Sequence, residues 1–302
     1  MNRLLFVLLF IATSGIINAQ ELKTPAMSPT CKIVQDFSTS TIELSYSRPA
    51  IRGRKIFGEL VPYGKVWRTG ANGATKIKFA EDVTIGGKPV KAGEYALYTI
   101  PGTWEWEVIL NKGTGNWGAY GYDTTGDVAR FKVKSEKMQM AMQSFTMDFS
   151  NITMNSCDLF LGWEKTMVMI PISTNNAPRI EAAIDKAINK PNIPYFQAAQ
   201  YYFESGADLE KANMYVDKAL EQSPKSFFMW YLKARIEAKL GHKDEAIAAA
   251  TKSMETAKGS AAEDEYMRNN LKLIDDVNGK SDDKTSMKPK KSHDSKSAKA
   301  SN

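Results

Sequence analysis

Between Arg48 and Lys78 the chain sets eight cationic side chains (Arg48, Arg52, Arg54, Lys55, Lys65, Arg68, Lys76 and Lys78) against a single carboxylate, Glu59. A guanidinium is a rigid planar fork of N–H donors that matches a carboxylate, sulfate or phosphate group. Phe57, Tyr63 and Trp67 are interleaved with these cations, Asn72 adds an amide, and glycines at 53, 58, 64, 70 and 73 imply tight turns. Turns let residues distant in sequence share one mouth. The stretch therefore supplies ligand-site candidates, Arg48, Arg54, Tyr63, Trp67, Arg68 and Asn72, for an anionic small molecule or glycan. The competing expectation is structural: each arginine pairs with an acid from another strand, the aromatics are core, and no pocket forms.

Other chemistry is scarcer. The two histidines, His242 and His293, both lie beyond residue 174, so the first half of the chain has no imidazole for a Ser-His-Asp or Cys-His arrangement and none to ligate zinc or iron. No metal site and no cofactor is expected. Gly113, Gly115 and Gly118 spell G-x-G-x-x-G, but AYGYDTTG follows with no helical pattern, so a dinucleotide would lose the helix amino terminus it needs. The segment reads as a glycine-rich loop between strands. Met138, Met140 and Met142 alternate, and packing is the preferred reading over a soft-metal site. Cys31 and Cys157, in the strand-like CKIVQDF and CDLFLGW, offer either a disulfide between sheet neighbours or two separate buried thiols.

The elements that would carry these residues change character near residue 174. Before it, apolar residues recur at period two: Ile42-Leu44-Tyr46, Thr75-Ile77-Phe79, Tyr95-Leu97-Thr99, Trp104-Trp106-Val108-Leu110, Phe145-Met147-Phe149 and Leu159-Leu161-Trp163. Alternation means one buried and one wet face, and Gly86-Gly87 and Pro101-Gly102 supply turns. Roughly ten strands without intervening helices predict an antiparallel β-sandwich or barrel. From Ala177 the period becomes helical. Ala212 and Ala246 are 34 residues apart in similar text, DLEKANMYVDKALE and HKDEAIAAATKSME, and the same offset matches Phe196 with Trp230, Gln200 with Ala234 and Ala207 with Gly241. With Pro224 closing the first unit, residues 193–260 resemble the tetratricopeptide family, which implies paired helices that dock a protein partner. Trp230 and Phe196 are expected between helices. Gln200 departs from the small residue of that pattern.

The opening Met1-Asn2-Arg3, the apolar run Leu4 to Ile17 and the small residue Ala19 follow the order of a secretory signal peptide, cleaved after Ala19. No later stretch is long and apolar enough to span a bilayer, so no transmembrane span is expected in the mature chain. Lys280 to Asn302 carries seven lysines against three aspartates, +4 of the chain's net +6, and reads as a disordered tail. Arg3 carries one more positive charge. The body left between them is near neutral, which argues against nucleic-acid binding.

The text YSRP (Tyr46–Pro49), Gly53-Arg54, IFG (Ile56–Gly58), LVPYG (Leu60–Gly64), VWRTGAN (Val66–Asn72) and Ala74-Thr75, followed by AGEYALYTIP from Ala92 and WEVILN from Trp106, resembles a family of secreted bacterial proteins known as a domain of unknown function. The resemblance covers about residues 28–172. It implies a β-rich fold and an envelope location, often with a helical-repeat extension, and no activity.

The expected organisation is a signal peptide (1–19), a β-sandwich domain (20–174), tetratricopeptide-like helical repeats (175–279) and a lysine-rich tail (280–302). The expected protein is a periplasmic or secreted binding or scaffold factor. The alternative is a hydrolase or isomerase that works with Tyr, Arg and carboxylates of the β domain.

Overall fold

The computed structural model describes residues 24–188 and 194–279. The expected signal peptide, the lysine-rich tail and His293 lie outside the described residues. The chain divides between Thr174 and Asn175 into two compact units.

In the first unit, β1 (Thr30–Phe37) and β2 (Ser40–Ser47) form a hairpin that pairs Thr30 with Ser47 and Phe37 with Ser40. The other strands are β3 (Thr75–Phe79), β4 (Val83–Ile85), β5 (Lys88–Val90), β6 (Gly93–Ile100), β7 (Glu105–Asn111), β8 (Asp127–Ser150) and β9 (Ser156–Ser173). They form one antiparallel sheet in the order β1-β2-β3-β6-β7-β8-β9-β4-β5. β8 makes the sheet two-layered: Asp127–Lys134 pair with β7, and the remainder pairs with β9 through register shifts around Met142. Ile42 and Leu44 of β2, Ile77 of β3, Leu97 of β6 and Val108 of β7 then share one core with Phe145 and Met147 of β8 and Leu159 and Leu161 of β9. Tyr46 ties the layers together. Its hydroxyl donates to Met147 O (3.0 Å) and accepts from Met147 N (2.9 Å), and burial pushes its pKa up to about 12. The unit is the antiparallel β architecture that the alternation predicts, with Gly86-Gly87 joining β4 to β5.

Two expectations need correction, and one open choice is narrowed. Trp104 precedes β7 and is 77% exposed, because the alternation runs on past the strand's first residue. Met140 is 84% exposed and so packs in no core; it lies where β8 loses register with β9. Cys31 and Cys157 are both free thiols. Their strands are not neighbours: β1 bonds only to β2, whereas β9 lies between β8 and β4. Burial raises the Cys157 thiol to about 11, which keeps it protonated and inert.

The second unit contains α1 (Ala177–Ala187), α2 (Tyr195–Ser205), α3 (Leu209–Gln222), α4 (Phe227–Leu240), α5 (Lys243–Ala257) and α6 (Glu263–Val277). Asp208 caps α3 by accepting from Lys211 N at 2.9 Å. Ala212 on α3 and Ala246 on α5 are both fully buried, as the 34-residue offset requires. The offset shifts by one at the preceding turn. Gly206 closes α2 and Gly241 closes α4, three residues separate α2 from α3, and two separate α4 from α5. Ala199, not Gln200, is therefore the counterpart of Ala234, and both are fully buried. Gln200, one position further on, is exposed. Trp230 packs against both helical clusters and donates Nε1–H to Pro224 O (2.9 Å), while the Phe196 ring meets Phe228 edge-on at 5.1 Å. No helix among the described residues is long and apolar enough to cross a membrane.

Glu237 of α4, 3% exposed, faces His242 Nδ1 at 2.8 Å and Lys233 Nζ at 3.1 Å. Burial alone would raise its pKa, but hydrogen bonds from His242, Lys233 and Asn213 outweigh burial and hold it below the ordinary 4.5. The Glu237 hydrogen bond raises His242 above 6.5. The imidazolium's contribution is present below its ordinary pKa and lost as pH rises through the raised one. The carboxylate's contribution is present above 4.5 and lost as pH falls through the lowered value. The pair is therefore strongest between the two ordinary values. An NMR titration should place His242 above 6.5, and Glu237→Gln should return it to about that value. An unchanged midpoint in the variant would contradict the pairing.

Candidate functional site

The residues of the basic stretch separate by type. Three of its four lysines pair with acids: Lys55 with Glu59 (3.3 Å), Lys76 with Glu94 (3.7 Å) and Lys78 with Glu43 (2.6 Å). Its arginines do not. Among the described residues, none of Arg48, Arg52, Arg54 and Arg68 lies within ion-pair distance of a carboxylate. Arg48 staples the end of β2 to β8, donating Nε–H to Phe145 O (3.2 Å) and Nη2–H to Thr146 Oγ1 (2.8 Å). Arg54 donates to Ile51 O (3.0 Å) and Ala50 O (2.7 Å), and Arg52 to Met27 O (2.9 Å). Among the described residues the Arg68 guanidinium has no hydrogen-bond partner, and its Nε is buried without one.

Three of the four arginines converge on a cleft of about 390 Å³ in the β-rich unit. Arg52, Arg54, Arg68 and Asn72 line it beside the indoles of Trp67 and Trp163. The two rings stack 6.0 Å apart at 15° and belong to an aromatic cluster with Phe57, Trp106 and Phe145. Trp67 Nε1–H is satisfied by Gly70 O at 3.1 Å, whereas Trp163, 2% exposed, has its Nε1–H unpartnered. Among the described residues, no Asp, Glu, His, Cys or Tyr lines the cleft. Its polar side is thus rich in donors and carries three positive charges, an arrangement complementary to an anion.

The turn Trp67–Asn72 holds this wall in place. Thr69 (φ 53°) and Asn72 (φ 60°) adopt left-handed backbone, and Gly70 (φ 150°) packs so closely that a Cβ would sit 3.0 Å from Ser47 O. Only glycine meets both demands at position 70. Asn72 Nδ2 donates to Ser28 O and Ser47 Oγ, both at 3.2 Å, and Thr75 Oγ1 to Thr69 O at 2.5 Å. Left-handed non-glycine residues persist where surrounding structure over-determines them, and they cluster at ligand sites.

Of the six candidates, Arg54, Trp67, Arg68 and Asn72 line the cleft. Arg48 does not, because its guanidinium is consumed by β8, and neither does Tyr63, whose half-exposed ring lies against Gly58. Arg52 and Trp163 were missed. Arg52 carried a signal, its place beside Gly53 in a turn; Trp163 carried none, since only the fold brings it to Trp67.

An antiparallel β unit with a donor-lined cleft, followed in sequence by a helical unit, defines the class of this protein. Residues 28–172 match the model of a family described as a protein of unknown function (DUF2911), so the β-rich unit carries a domain of unknown function. No curated protein matches the chain.

Proposed function

We propose that this is an exported binding or scaffold protein whose β-rich unit holds an anionic ligand in the Arg68 cleft and whose helical unit docks a protein partner. The observation that carries the first part is Arg68, a guanidinium that lines the cleft with no acidic or hydrogen-bonding partner among the described residues, beside the likewise unpartnered Nε1–H of Trp163. A charge in that setting is tolerated where solvent or a ligand completes it. A hydrolase or isomerase would need an acid, base or nucleophile beside the anion, and the cleft lining offers no carboxylate, tyrosine, histidine or cysteine among the described residues. The tetratricopeptide reading of the helical unit is supported by two helical hairpins with buried alanines at corresponding places. Export is supported by the order of charged, apolar and small residues in 1–19.

The test is thermal unfolding of the full mature chain with tricarballylate, sulfate, phosphate and galacturonate, because a ligand that binds only the folded state raises its melting temperature. The expected result is a saturable rise with at least one anion and none with its uncharged analogue. The absence of a saturable rise with every anion would overturn the reading.

A further inference from the structure

The glycine-rich loop between β7 and β8 is joined to the cleft through Arg68. Gly118 has φ +69°, and a Cβ built there would lie 3.1 Å from Arg68 Nη1 and 3.8 Å from its Cδ. The guanidinium therefore rests against this turn, which has room for it only because position 118 has no side chain. The loop docks on the segment that follows the cleft wall: Ala74 N donates to Asn116 O (3.3 Å), and Trp117 bridges Gly73 through the backbone. Its own shape is fixed by Asn111, which donates Nδ2–H to Asp123 O and Asp127 Oδ1, and by Asn116, which donates to Gly121 O and Tyr98 Oη.

On either side of Gly118 this anchored loop presents two rings to solvent, Trp117 at 69% and Tyr120 at 80% exposure. Large rings held in water on a fixed loop give up the burial that normally repays their hydrophobic area. The flat apolar face of a pyranose covers such a ring while its hydroxyls stay hydrated, and a carboxylate on the same molecule suits the arginine fork.

We infer that the loop is the outer wall of the Arg68 site and that the ligand is an acidic saccharide. Arg68 binds the carboxylate and Trp117 and Tyr120 stack on the sugar rings, with the guanidinium resting against Gly118. This inference rests on the anion-site reading and specifies its ligand class.

Calorimetric titration of the full chain with trigalacturonate and with tricarballylate, a tricarboxylate without sugar rings, tests it. Trigalacturonate should bind at least tenfold more tightly. Trp117→Ala and Tyr120→Ala should erase that advantage and leave tricarballylate affinity unchanged; both side chains are exposed, so their melting temperatures should match the parent. Equal affinity for the two ligands would overturn the saccharide assignment and leave the anion site standing. Tighter binding of adenosine monophosphate than of trigalacturonate would also overturn it. Binding of neither tricarboxylate, with no response to phosphate, would overturn both readings.

Discussion

Replacing Arg68 by methionine should cost about 10- to 100-fold in affinity for tricarballylate, the range expected when a charge-assisted hydrogen bond worth about 1.5–3 kcal/mol is removed. The same substitution should leave the melting temperature unchanged or raise it. Its Nε is buried without a partner, so the folded protein already bears that desolvation cost, and the methionine side chain keeps the apolar contacts of the stem. Arg48→Met should behave in the opposite way, with loss of stability because Phe145 O and Thr146 Oγ1 lose their donor, and with little change in anion affinity. Calorimetric titration and thermal unfolding of both variants check the pair. A fall in stability for Arg68→Met without any loss of affinity would return Arg68 to a purely structural role.

Trp163→Ala should destabilise the β-rich unit by about 3–5 kcal/mol, the cost of deleting a large buried aromatic. Trp163 is almost wholly buried, stacks on Trp67, and meets Phe57 and Phe145 edge-on. The cavity would open directly behind the cleft, so anion affinity should fall as well. Trp163→Phe separates ring from N–H. Since Nε1–H has no protein partner, this variant should lose only the cost of the smaller cavity that the missing ring atoms leave, well below the loss of the alanine variant. Urea unfolding followed by circular dichroism measures both. A loss in the phenylalanine variant as large as in the alanine variant would mean that the indole N–H is satisfied after all.

The sequence exposed the fold where burial is one-sided and concealed it elsewhere. Strands such as β2, with Ile42, Leu44 and Tyr46 inward and Glu43 outward to Lys78, write the sandwich plainly. β6 does not: Tyr95 and Leu97 face the main core while Ala96 and Tyr98 pack with Ile109 on the opposite side, so no simple alternation marks its second face. In the helical unit the small residues betrayed the hairpins, but the extra residue in the α2–α3 turn displaced the match onto Gln200.

For the site, charge and glycine together were informative. Arg68, Asn72 and the left-handed turn between them follow from an excess of cations over acids in a glycine-punctuated stretch. Which arginine would be left without a partner was not legible, because Arg48 and Arg54 are satisfied by backbone carbonyls that carry no sequence signature. Tyr63 and Trp67 looked equivalent as aromatics, yet only Trp67 turns inward, fixed by its hydrogen bond to Gly70 O and by Trp163 from a distant strand.

The central claim is that the Arg68 cleft is an anion site. Its most direct test is an anomalous difference map from crystals of the full chain grown without sulfate or phosphate and soaked in selenate. The strongest selenium peak should lie inside the cleft, within hydrogen-bond reach of the Arg68 guanidinium. Peaks confined to surface lysines, with the cleft empty, would contradict it.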